Sequence, residues 1–167
     1  MVPMPPSIPL PAWAFVPGHR PHPRRDPRGH SYGAPEPSVT LPLDAADPTI
    51  ARGRALFDAG YYWEAHEVFE AVWIAAGRSG AVAEFARAVV QLAAAGVKTR
   101  QGRRRGATRL AGAAHGRLVA VAATTPHVLG STVAEWVAFA EAVEARCETG
   151  AADPDLAVEC LFGAAPW

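Results

Sequence analysis

The side chains best suited to chemistry lie in one run, Tyr61-Tyr62-Trp63-Glu64-Ala65-His66-Glu67-Val68-Phe69-Glu70-Ala71-Val72-Trp73. On a helix, residues four apart stand one turn above each other. His66 and Glu70 can therefore reach a single ion, with Glu67 beside them to activate a bound water. This arrangement echoes the zinc-protease helix motif, with glutamate in place of the second histidine. A catalytic zinc needs a third protein ligand, and no spacing fixes which of Asp58, His115 or His127 would serve. A mixed histidine–carboxylate set also suits iron or manganese. Two metal-free readings stand beside this one: a hydrogen-bonded network that joins helices, and a pocket for an organic ligand.

At about 100° per residue, Tyr62, Ala65, Val68, Phe69 and Val72 form one apolar face, with His66 and Trp73 at its edge and Glu70 next to them. Trp63 and Ile74 flank the acidic side, so the polar stripe is expected to be partly covered. Covered carboxylates are costly unless paired. Helix 3 offers Glu84, Arg87, Gln91 and Lys98 near one face, with Ala94 and Ala95 leaving room. The expectation is a polar groove between helices 2 and 3, drawing on His66, Glu67, Glu70, Trp73, Gln91 and Lys98.

The elements that must hold this stripe are all helical. Asp47-Pro48 supplies an N-cap and a proline at the first helical position, so helix 1 runs from there to about Ala59. Gly60 stops it by tolerating a left-handed backbone. Helix 2 spans roughly Tyr62 to Ala76, and helix 3 follows Ser79-Gly80 to about Arg100. Helix 4 covers about Arg103 to Ala123. Thr132 and Glu135 read as a capping box for helix 5, which ends near Gly150. A last helical turn is expected at Asp153-Pro154. Gly60 and Ala65 have counterparts 42 positions on in Gly102 and Ala107, which suggests two stacked helical hairpins in one bundle. No segment alternates as a strand would. The fold class is all-α, a compact bundle of about five helices over residues 47–150, with a short turn and tail over 151–167.

Twelve of the 16 prolines fall between Pro3 and Pro42. Proline removes backbone donors and biases its predecessor toward extended geometry. Residues 1–46 are therefore expected to be a disordered or extended Pro/Arg-rich tail, and its His19, His22 and His30 are too scattered to suggest a site. Cys147 and Cys160, the only two cysteines, form no metal-ligand pair and are read as small apolar fillers. Trp136 and Phe139 are expected in the core.

Formal net charge is zero, so no global field draws the chain to nucleic acid or a membrane surface, and a cytoplasmic protein is the default. The distribution is uneven. Residues 85–134 hold eight bases and no acid, whereas 135–159 hold seven acids and one base. Basic helices 3 and 4 are expected to pack against acidic helices 2 and 5, with pairs along the rims. The run Arg100 to Arg109 lacks interleaved aromatics for base stacking, which disfavours a nucleic-acid partner.

The blocks Phe57-Asp58-Ala59-Gly60, Trp63-Glu64-Ala65-His66-Glu67, Glu70 and Trp73 resemble the family called domain of unknown function 309. Val89-Val90-Gln91-Leu92-Ala93, with Gly106-Ala107 and Leu110, is similar to its second block. The resemblance covers about residues 48–120. It implies a small all-helical bundle of no established activity, with a polar motif on His66, Glu67, Glu70 and Gln91. Asp58 stands where relatives commonly carry asparagine, and Lys98 where they often carry an aromatic or histidine.

Three functions compete. The first is a non-enzymatic module that binds a small molecule or protein partner through the groove between helices 2 and 3, with no cofactor. The second is a metal-dependent hydrolase with His66 and Glu70 as ligands of a divalent ion and Glu67 as base. The third is an RNA-associated accessory protein. No nucleophile elbow, phosphate loop or complete ligand set supports catalysis, and the sequence favours the first.

Overall fold

A computed structural model describes residues 9–167, and its element order is five helices with one minute hairpin. Helix α1 spans Pro48–Asp58, α2 Tyr62–Ala75, α3 Ala81–Arg100, α4 Arg104–Ala122 and α5 Val133–Thr149, while β1 (His127–Val128) and β2 (Ser131–Thr132) pair between α4 and α5. Each helix packs chiefly on its sequence neighbours, which is what short connections between antiparallel helices impose. The expected hairpins are present: Gly60 turns α1 into α2 and Gly102 turns α3 into α4, both at positive φ. The matching Ala65 and Ala107 are fully buried.

Local signals explain the boundaries. The Asp47 carboxylate accepts the Thr49 N–H at 2.7 Å and the Ile50 N–H at 3.4 Å, capping α1 as expected. Helix α5 starts differently. Thr132 makes no side-chain cap bond and lies in β2, so the expected capping box does not form. The Val133 N–H goes to the Pro126 carbonyl instead, at 2.9 Å. The hairpin escaped the sequence reading because its turn is Leu129-Gly130, with both residues at positive φ; leucine there carries none of the usual asparagine or aspartate signal. At Asp153 there is a turn and no helix, because the Asp155 N–H bonds to the Asp153 side chain at 2.9 Å.

The core is built on small residues. The buried face of α4 is Ala107, Ala111, Ala114, Leu118 and Val121, a spacing of three and four that keeps one stripe against α3 and α5. Glycines set two closer approaches. A Cβ on Gly96 of α3 would lie 2.5 Å from the Tyr62 ring, and one on Gly53 of α1 would lie 2.5 Å from Val68 Cγ1. Trp136, fully buried as expected, meets Phe85, Phe139 and the final residue Trp167 with ring centroids 4.7–5.5 Å apart.

The N-terminal segment divides the expectation made for it. Residues 1–8 lie outside the described residues. Residues 9–46 hold no helix or strand, as their prolines dictate, but they are not a free tail. Ala14, Phe15 and Val16 are buried, and the Ala14 N–H donates to the Ala157 carbonyl at 2.7 Å. Phe15 and His22 both pack on Trp63, with centroids 5.1 and 5.3 Å away. Trp13-Ala14-Phe15-Val16 supplies enough apolar surface to anchor an irregular strap across the bundle.

Candidate functional site

The residues expected to share one groove occupy three neighbourhoods. Glu67 faces the strap: Arg24 Nε lies 3.0 Å from its Oε1, and Arg24 Nη2 lies 3.1 Å from its Oε2. Trp73 faces α3 and the turn after α2, with the guanidinium carbons of Arg87 and Arg78 at 5.1 and 5.4 Å from its ring centroid. Gln91 turns to α4, where its Oε1 accepts from Arg117 Nε at 3.1 Å, and the same guanidinium pairs with Glu84. Lys98 also leans to α4, its stem lying 3.8 Å from where a Cβ on Gly106 would sit. Glu70 is exposed, while His66 and Trp73 are half-buried and each encloses one ring nitrogen without a partner.

Glu64 and Glu67 of α2 are therefore answered by the strap. Between α2 and α3 the Tyr62 ring sits close against Gly96 at one end, and Arg87 lies over Trp73 at the other. The contacts that form differ from the expected ion pairs between basic and acidic helices: Glu84–Arg117 joins α3 to α4, Arg24–Glu67 joins the strap to α2, and His30 meets Glu64 across that same seam. Among the described residues, no three His, Cys, Asp or Glu side chains come together to hold an ion. Arg103, Arg104, Arg105 and Arg109 are exposed along α4.

Where the strap meets α1 and α2, it encloses a recess of about 610 Å³. Helix α1 contributes Thr49, Arg52 and Leu56 to its wall, and α2 contributes Glu64, Glu67 and Val68. These are the faces that helical periodicity brings together once Gly53 lets the two helices close up. The strap supplies Arg24, His30, Ser31 and a run from Ala34 to Ser38. Glu64 is the central group. It is only 6% exposed, and its Oε1 accepts the Phe15 N–H at 2.9 Å and lies 2.8 Å from His30 Nε2. Its other oxygen, Oε2, is enclosed and has no hydrogen-bond partner. Ser31 Oγ lies 2.8 Å from His30 Nδ1, and the Trp13 ring packs on the same imidazole at 4.5 Å.

Two groups elsewhere carry shifted acidity. Asp58, at the end of α1, accepts from the Ala165 N–H and from Trp167 Nε1, both at 2.9 Å. Burial raises its carboxyl above the usual value, and those two bonds offset the rise only in part. Arg100 is buried under the C-terminal segment, donating to the carbonyls of Asp153 and Leu156 at 2.9 and 2.6 Å, and desolvation lowers its pKa.

Sequence reasoning passed over Glu64, His30 and Arg24 as site residues. The signal that could have found them is Trp13-Ala14-Phe15-Val16: two aromatics and a valine in four positions are foreign to disordered segments, and they imply a docked strap that brings its charges with it.

Residues 50–110 match the family model described as Domain of unknown function (DUF309). The match spans most of α1, all of α2 and α3, and the first part of α4, the region in which the helix 2 motif falls. No curated protein and no solved structure matches the chain.

Proposed function

We propose, from a helical domain whose family description names no activity, that this protein is a non-enzymatic module binding a small molecule in the recess between α1, α2 and the strap. The observation that carries this reading is Glu64, a buried carboxylate on the recess wall with one oxygen left unpaired. An unmade hydrogen bond to a buried polar group costs about 1–3 kcal/mol, and more for a charge. A group of that kind in the wall of a cavity is one that an occupant can satisfy. The volume of about 610 Å³ falls within the roughly 300–1,000 Å³ of small-ligand pockets, which are mostly apolar walls with a few convergent polar groups. Leu56, Val68 and the strap prolines supply such a wall. The reading retains the acidic stripe of helix 2 as the polar side of the site and replaces helix 3 by the strap.

Ligand-observed NMR of the full chain against a fragment library tests this. Fragments should bind, and their signals should be lost with Thr49→Trp, which fills the recess from α1. A library without binders, or binders indifferent to that substitution, would overturn the proposal.

A further inference from the structure

We infer that the occupant of this recess is an amine: an ammonium group set against Glu64, carried on an apolar body. The inference rests on the reading of the recess as a ligand site and adds the charge of its occupant.

The charges around the recess are unevenly committed. Three carboxylates (Glu36, Glu64 and Glu67) face two guanidiniums, Arg24 and Arg52. Arg24 is fully engaged: Nε and Nη2 donate to Glu67, and Nη1 donates to the carbonyls of Ala34 and Pro35 at 3.1 and 2.6 Å. Arg52 Nη1 is turned to the Pro9 carbonyl at 3.0 Å. Glu67 is thereby paired with a guanidinium, whereas no guanidinium or ammonium pairs with Glu64. The donors to Glu64 are a backbone N–H and an imidazole. Both ring nitrogens of His30 are occupied, Nε2 by Glu64 and Nδ1 by Ser31 Oγ. A buried carboxylate with an unpaired oxygen favours a cationic donor, since charge-assisted hydrogen bonds are about twice as strong as neutral ones. An anion would meet repulsion at the same place. Glu64 lines the recess, and its Oε2 is without a hydrogen bond. Pro11, Pro35, Pro37, Pro48, Leu56 and Val68 then cover the apolar body.

Isothermal titration of the full chain at neutral pH provides the test, using 2-phenylethylamine, cyclohexylmethylamine and hexylamine, each beside the alcohol and the carboxylate of matching skeleton. At least one amine should bind about tenfold or more tightly than its alcohol, the equivalent of roughly 1.4 kcal/mol, and the carboxylate should not bind. Glu64→Gln should remove that preference while leaving the alcohol within about twofold. Should the buried variant fail to fold, Thr49→Arg, which adds a cation to the wall and breaks no side-chain bond, should give the same loss. An alcohol or carboxylate equal to its amine overturns the inference while leaving the recess a ligand site. An amine affinity unchanged in the folded variants also overturns it. If none of the nine probes binds, the inference fails, and the fragment screen with Thr49→Trp decides the reading beneath it.

Discussion

Nε2 of His30 lies 2.8 Å from Oε1 of Glu64, 34 positions later in the chain. This contact joins a segment without secondary structure to the buried side of a helix. The pairing means that the strap and helix α2 form one unit, in which the strap supplies the partners that α2 lacks.

Glu67→Ala should loosen the strap without unfolding the bundle. The Arg24–Glu67 pair is partly shielded, at 17% and 19% side-chain exposure, and pairs near a surface contribute about 0–1 kcal/mol. Limited trypsin digestion should therefore cut faster at Arg24 and Arg25 while the melting temperature barely moves. Equal cleavage rates would show that other contacts hold the strap.

Gly29→Ala should act on the strap more severely. A Cβ there would lie 2.2 Å from the Pro23 carbonyl oxygen and 2.3 Å from that of His22, and backbone atoms cannot step aside as side chains do. The loop carrying Arg24 and His30 must open. Hydrogen exchange should quicken at the Phe15 amide, which bonds to Glu64, and stay unchanged in α4.

The aspartates at the two ends of α1 should give opposite pH signatures. Hydrogen bonds from the Thr40, Thr49 and Ile50 amides hold Asp47 below its ordinary value of 3.8, so its stabilisation is present above that value and lost as pH falls through the folded one. Burial raises Asp58 above 3.8, so the stability from its protonated form is present below 3.8 and lost as pH rises through the folded value. Asp58→Asn should then melt higher than the parent at pH 7 and lose the advantage at pH 3. Asp47→Ala should cost about 0.5–2 kcal/mol at neutral pH, read from denaturant titration.

Two glycine substitutions separate packing from propensity. Gly96→Ala drives a methyl into the Tyr62 ring and should cost about 1–3 kcal/mol. Gly116→Ala on α4 meets nothing within 4 Å and should add about 0.5–1 kcal/mol through helix propensity. Thermal melts moving in the same direction would contradict the packing described for α2 and α3.

Tyr62→Phe should release the C-terminal segment. The Tyr62 oxygen accepts the Leu161 and Phe162 amides at 2.8 and 3.1 Å, and the phenol is buried, which pushes its pKa well above the usual value. Removing the acceptor strands both amides, at a cost of about 1–3 kcal/mol each where they stay buried. Exchange at those two amides should accelerate more than anywhere in the helices.

The helices were legible because their causes are local. Asp47-Pro48 and the glycines at 60 and 102 act within one turn, and apolar periodicity orients each helix without knowledge of its neighbours. The capping box at Thr132 misled because a two-residue strand pair claimed that residue first. The candidate site was half legible: the acidic stripe of α2 and its need for partners could be read, but not the partners themselves. Gln91 and Arg87 looked suited to α2 by composition; Arg87 does lie over Trp73 of α2, yet α3 turns Gln91 to Arg117 on α4.

The order and length of the helices, the side of α2 that bears carboxylates, and the exclusion of regular structure from the proline-rich segment were determined by the sequence alone. The tertiary structure decided which groups answer those carboxylates. Burial of Phe15 against Trp63 fixes where the strap lies, and this in turn sets Arg24 and His30 over α2. Such a choice depends on the packing of residues tens of positions apart, and no rule of spacing within one segment contains it.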